Sequence, residues 1–355
     1  LEGPDGDATV IESEVGPAAL LIRRLEFDGL LVSLAVEAGA HFIDGLHVSR
    51  VNVEAEGVLI KGRDGRQFRA SALIAADGVH SIIARQLGLN RGWDRSAIAL
   101  DMMEETSREL LRDTDPSTLW VAYGYEAPTR DSDNAQSACR RGGRAAAEGY
   151  AYIFPKRHHV NIGIGYVLSH YERAENGAPY ALQRQLIEQL RARGLLTGES
   201  VKTNFTPFLV PVGGPLRRPG HGRVLVAGDA AGFVNGFTAE GIYYAMVSGD
   251  LAARAILRSL ADLSGAAATY RRLCNYEIGA ELRDSVRIQR YLFADRRRIA
   301  AVITGARRYP MLTRLIIDLA VGRRSYREVR FKVLARAPLL ATRLVWERLA
   351  KKSLC

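Results

Sequence analysis

Cysteine is scarce in this chain: three occur in 355 residues, Cys139, Cys274 and Cys355, with no Cys-x-x-Cys pair. That excludes a disulfide framework or a zinc ribbon and fits a reducing compartment. Long hydrophobic runs are absent too. No apolar stretch approaches the ~18 residues needed to span a bilayer, and the N-terminus does not read as a signal peptide. A cytoplasmic setting is therefore expected. No Gly-x-Gly-x-x-Gly is present, since Gly163-Ile-Gly165 lacks the third glycine and the strand-to-helix context. No Ser/His/Asp arrangement can be read. His158-His159 has no further ligands at suitable spacing, so no metal is expected. No internal repeat is visible.

What is present describes a folded protein. Hydrophobic residues make up 47% of the chain and charged residues 25%, ordinary values for a globular protein. The length suits roughly two domains of about 100–200 residues each. The net charge of +10 is concentrated at one end: residues 286–355 hold 18 Lys/Arg against 4 Asp/Glu, leaving the remainder at −4. A basic, Leu/Ile-rich helical tail can lie on anionic lipid, although a solvated helical face explains the charge equally well. No nucleic-acid reading motif accompanies it, so nucleic acid is not an expected partner.

Periodicity predicts a helix over 25–38, with apolar positions at Leu30, Leu31, Leu34 and Ala38 and Gly39 ending it. Strands are expected over 41–53, 57–61 and 67–75, the last running into the short apolar stretch Ala72 to Ala76, followed by a helix over 79–87. Residues 114–124 and 149–167 have strand character, and 125–148 read as a long loop. A helix over 180–193 and a strand over 203–210 follow, then a Pro/Gly loop from Pro211 to Pro215 and a buried strand over 224–227. Long helices are expected over 239–260 and 266–291, then basic helices broken at Pro310 and Pro338.

Four constellations carry chemistry. In the first, Arg24, Phe27 and Asp28 open a helix; an acidic residue there is also a common cap or dipole partner. In the second, Asp77-Gly78 ends a strand before a helix, as in many α/β turns. In the third, Gly228, Asp229, Ala230 and Gly232 follow a buried strand and lead to Glu240, Gly241 and Ile242 at a helix start. Small residues there let a bulky ligand approach the backbone, and the helix N-terminus attracts anions. In the fourth, Tyr150, Tyr152 and Phe154 alternate and so share one strand face, with Pro155 and then Gly163 after them. An aromatic row of this kind is more often core than ligand wall.

Together these four resemble the FAD-dependent oxidoreductases of the glutathione-reductase/aromatic-hydroxylase type. The fourth is similar to the Tyr-x-Trp-x-Phe-Pro pattern of the geranylgeranyl reductase family. The resemblance runs from about residue 20 to the basic tail. It implies an α/β (α+β overall) fold: the remainder of a Rossmann-like FAD-binding domain over 1–95 and 201–262, an antiparallel-sheet substrate domain over 96–200, and a helical region over 263–355. It departs from the family where Tyr152 replaces the tryptophan and where Gly236 and Ala239 replace the usual residues before the helix. The Gly-x-Gly-x-x-Gly unit that opens such proteins is missing, which suggests a family member without its first ~50–70 residues.

The resemblance implies FAD as cofactor, held by Arg24, Asp77, Gly78, Gly228, Asp229, Ala230, Gly232, Glu240, Gly241 and Ile242, with NAD(P)H or ferredoxin as electron donor. It implies a prenyl lipid or prenyl diphosphate substrate along Tyr150, Tyr152, Phe154, Pro155 and Gly163, reduced at carbon–carbon double bonds, with peripheral membrane contact through the basic helices. No catalytic proton donor is identified. The alternatives are an FAD monooxygenase or halogenase acting on an aromatic compound, and a non-catalytic family member. The hydroxylases usually place His after Gly-Asp-Ala-Ala, where this chain has Gly232, which favours the reductase.

Overall fold

Three sheets organise the chain in the computed structural model, which describes residues 1–10, 12, 16–17, 19–110, 115–125, 149–172 and 178–330. The expected loop over 126–148 and the tail beyond 330, with its break at Pro338, lie outside the described residues.

The first helix, α1 (Arg24–Glu37), leads into a meander of β1 (Val48–Val53), β2 (Val58–Gly62) and β3 (Gln67–Ala70). The expected strand over 67–75 is in fact two. After β3 the chain leaves the meander, and β4 (Leu73–Ala75) pairs in parallel with β11 (Val224–Val226), itself flanked by β10 (Gly220–His221). Arg223 bridges the break by donating to the carbonyls of Ser71 and Ala55. The short α2 (Ile82–Gln86) follows β4. All three residues of β11 are buried, as a strand covered on both faces should be. Ile74 of β4, in contrast, is 37% exposed.

The third sheet has five antiparallel strands in the order β6 (Trp120–Tyr123), β7 (Gly149–Pro155), β8 (His159–Val167), β5 (Ala99–Ser107) and β9 (Phe205–Val210). Residues 205–210 thus belong to this sheet, so the chain re-enters the first unit later than the expected boundary at 201. One face packs on α3 (Pro179–Ala192): Met102, Ile153, Ile162 and Ile164 meet Leu182, Leu186, Ile187 and Leu190.

Helices α4 (Ile242–Arg258) and α5 (Ala266–Cys274) cover the parallel pair, with Leu251, Ala252 and Tyr270 against Val224, Leu225 and Val226. A π-helical turn (Asn275–Gly279) passes into α6 (Ala280–Phe293), so the expected helix over 266–291 is continuous but rewound at its middle. Then come α7 (Arg296–Arg308) and α8 (Pro310–Ala320), separated at Pro310, which starts the new helix. Among the described residues, no helix is long and apolar enough to cross a membrane. The architecture is α/β in class.

Candidate active site

Strand β11 delivers its chain into a tight turn. Gly228 (φ 57°) and Gly232 (φ 69°) adopt left-handed backbone conformations on either side of a 3₁₀ turn, Gly228–Ala231. A Cβ on Gly232 would also lie 2.5 Å from the Gly214 carbonyl and from the Trp93 ring. The turn is tied back to α4 by the Gly228 amide, which donates to Ser248 Oγ at 2.9 Å. Next, the Asn235 carboxamide accepts from the amides of Phe237 and Thr238. Glu240 then accepts from the Tyr243 amide at 2.8 Å. The α4 helix begins at Ile242 rather than 239, because Ala239 is itself left-handed (φ 55°) and Gly241 caps the helix.

This turn fits an FAD cradle on one specific ground. Asp229 is half-buried, burial raises its carboxyl above the usual range, and the Arg24 charge opposes that only partly. Among the described residues no hydrogen-bond donor reaches the carboxylate. An acidic group so placed suits a hydroxyl-bearing ligand. Gly241 stands next to it: a Cβ there would come 3.3 Å from Asp229 Oδ1. Glu240 is also pushed up by burial, opposed by the amides of Tyr243 and Ile242.

The structure brings Gly228, Asp229, Ala230, Gly232, Glu240, Gly241 and Ile242 together, with Arg24 nearby in a bidentate pair with Asp28. Asp77 and Gly78 sit at the end of β4, beside β11, and Trp93 joins the two strand ends by donating to the Val79 carbonyl while packing on Gly232. The Asp77 carboxylate, however, accepts from Ser81 Oγ at 2.6 Å and the Ile82 amide at 2.8 Å, so it caps α2.

The face of the five-stranded sheet turned away from α3 carries the aromatic row, in which Tyr152 is buried and Tyr150 and Phe154 are half-buried. Tyr152 stacks on Phe154 at 4.5 Å between ring centres, and Tyr150 lies 6.1 Å from Tyr152. Pro155, by alternation, falls on the opposite face with Ala151 and Ile153. Gly163 serves the row indirectly: it lies opposite Tyr152 across β7 and β8, and a Cβ there would run into the Tyr152 ring. Its bareness lets that ring lie flat over β8 and reach Asp101 on β5, to which Tyr152 donates at 3.0 Å. The row meets the cofactor turn through Tyr150, whose hydroxyl donates to the Thr238 carbonyl at 2.6 Å.

Asp101 was not among the residues expected from sequence. It keeps part of its surface accessible, yet burial pushes its carboxyl up to about 6, against the pull of the Tyr152 hydrogen bond. Glu105, on the same face, behaves oppositely: burial disfavours its charge, but hydrogen bonds from Lys156 and Arg23 hold it below the usual range. Two carboxyls on one face of β5, with Met103 between them, thus have different proton affinities. Trp93 and Gly214, which pack on Gly232, were missed as well; only the Pro/Gly loop hinted at the second.

A family model described as an FAD binding domain matches residues 6–278. An uncharacterized protein of Methanosarcina barkeri is 31% identical over 68% of this chain and 53% of its own length. Digeranylgeranylglycerophospholipid reductase 2 of Methanothermobacter thermautotrophicus is 31% identical over 72% of this chain and 60% of its own length. The chain thus spans a little over half the length of these curated relatives. The crystal structure of a geranylgeranyl bacteriochlorophyll reductase-like protein from Thermoplasma acidophilum superposes with a TM-score of 0.66 at 21% identity, covering 90% of this chain and 81% of that one; it supports the fold. The resemblance read from the four motifs is borne out, FAD is the cofactor that it implies, and the chain belongs to the FAD binding domain family of FAD-dependent oxidoreductases.

Proposed function

We propose that this oxidoreductase reduces carbon–carbon double bonds of an isoprenoid substrate, a geranylgeranyl-type lipid or diphosphate. The observation that carries the reading is the junction of Tyr150 with Thr238, which sets an aromatic sheet face directly beside the Asp229 turn. FAD, when bound, supplies the hydride. The chain's own residues bind and orient: Asp229 and the glycines of its turn hold the cofactor, and the N-terminus of α4 at Gly241-Ile242 offers its positive end to an electron-rich edge. Tyr150, Tyr152 and Phe154 line an apolar lane that excludes water from a prenyl chain. The similarity to a digeranylgeranylglycerophospholipid reductase supports this substrate class. NAD(P)H or ferredoxin is the proposed electron donor, and the basic C-terminal region, beginning with the arginines of α7, the proposed contact with a membrane surface.

The test is anaerobic. Protein loaded with FAD is reduced chemically and mixed with a geranylgeranyl glycerol ether, and flavin absorbance and product mass are followed. Reoxidation of the flavin with a gain of two hydrogens per double bond is expected. Absence of product, together with oxygen consumption in a parallel aerobic assay only when an aromatic compound is present, would favour a monooxygenase instead.

A further inference from the structure

We infer that Asp101 and Tyr152 form a proton-delivering pair, with the Tyr152 hydroxyl as the acid that faces the alkene and Asp101 as the positioning residue that holds and recharges it. The inference rests on the proposed alkene reduction, in which hydride addition to one carbon leaves the neighbouring carbon in need of a proton. In the balanced step, a C–H bond forms as the Tyr152 O–H bond breaks. The Asp101 proton passes to the Tyr152 oxygen, and Asp101 recovers a proton from water through its exposed side. Reduced flavin is the hydride source and ends oxidised.

Three features of the fold carry this. First, Tyr152 donates to both Asp101 oxygens, at 3.0 and 3.2 Å, across an intervening strand. That reach depends on Gly163, where a Cβ would run into the Tyr152 ring. Second, the pair lies one ring away from the cofactor turn, through Tyr150 and its bond to Thr238. Third, among the described residues no cation is paired with Asp101. The groups facing it are Tyr150 and Tyr152 from β7, Gly165 from β8, Phe208 from β9 and Met103 on its own strand, while Lys156 and Arg23 are committed to Glu105. A buried carboxylate held only by a phenol costs stability, and its burial raises its proton affinity into a useful range for acid catalysis.

Two readouts separate this role from a merely structural hydrogen bond. In protein labelled with carboxyl-¹³C aspartate, the Asp101 signal is assigned by its loss in Asp101→Asn. Its titration midpoint should lie near 6 and move higher in Tyr152→Phe, which removes the bond that lowers it. Gly163→Ala, which displaces the ring and keeps both groups, should move it the same way. In single turnover at saturating substrate, Tyr152→Phe and Asp101→Asn should slow substrate-dependent flavin reoxidation by about 10²–10⁴-fold, with flavin content unchanged. The wild-type rate should fall as pH rises through the Asp101 midpoint, and Asp101→Asn should lose that limb. An unmoved midpoint in Tyr152→Phe, or variant rates within threefold of wild type, would overturn the pair alone. A wild type that reduces no prenyl alkene would overturn the underlying reading, and the pair with it.

Discussion

Ala239 is the one non-glycine among the described residues with a positive φ, at 55°. A Cβ in this conformation costs about 1–2 kcal/mol, because it approaches the following carbonyl oxygen. Glycine there would release that strain but add freedom to the unfolded chain worth about 0.4–1 kcal/mol. Ala239→Gly should therefore change stability by less than about 1 kcal/mol in chemical denaturation. Ala239→Val should lose more than about 2 kcal/mol, since a β-branched residue is a true outlier at this φ. Near-equal stabilities for the two variants would show that the turn relaxes out of the left-handed region. Asp101 allows a second test of a single residue. Its carboxyl is raised from 3.8 to about 6 in the folded protein, so the folded state binds more protons than the unfolded one between those values. Its contribution to stability is fully present below pH ~4 and lost as pH rises through about 6. Asp101→Asn does not titrate, so its stability relative to wild type should improve by about 2–3 kcal/mol from pH 4 to pH 7. A constant difference across that range would refute the burial of the charge.

Elements differ in how far local sequence specifies them. The Gly228–Gly232 turn was legible because everything it needs is contiguous: a buried apolar strand, glycines at left-handed positions and a helix start. Asp101 was not legible, because its partner arrives through strand register, with Tyr152 about fifty residues away and a bare glycine strand between them. The Asp77 turn was legible as a turn, but its carboxylate is spent on the cap of α2, a contact set by the fold and not by the turn sequence. Helix α1 makes the opposite point. Its periodicity read as an apolar face, and the helix forms, yet none of its residues is buried. Leu25 is 79% and Leu30 55% exposed, because no described element lies against that side. Changing both to Gln should therefore cost less than about 1 kcal/mol of stability in this chain, the usual range for surface positions. A loss above about 3 kcal/mol in a denaturation curve would mean that something covers this face.

At the scale of the whole molecule, the question is how the cofactor turn keeps its place against the substrate sheet. The seam is aromatic. Phe237, just before the α4 helix start, stacks on Tyr123 of β6 with ring centres 5.3 Å apart and planes 8° from parallel. Phe293 at the end of α6 contacts both rings, and Ile299 and Ile303 of α7 close the cluster. The turn at Asn235–Thr238 thus reaches the sheet by two routes, this stack and the hydrogen bond from Tyr150 to the Thr238 carbonyl. If the stack couples the two halves, Tyr123→Ala and Phe237→Ala should not add. Each removes the same contact, so a double-mutant cycle in chemical denaturation should return a coupling of about 0.5–1.5 kcal/mol. The same two changes should weaken FAD binding although neither residue belongs to the cradle, because Phe237 lies three residues from Glu240 and any drift of the loop moves Gly241 away from Asp229. Tyr150→Phe tests the second route separately: it keeps the ring and leaves the Thr238 carbonyl without its donor, at a cost of about 1–3 kcal/mol. Additive single changes at Tyr123 and Phe237, with FAD affinity intact, would mean that the two halves are held together elsewhere and that the seam only fills space.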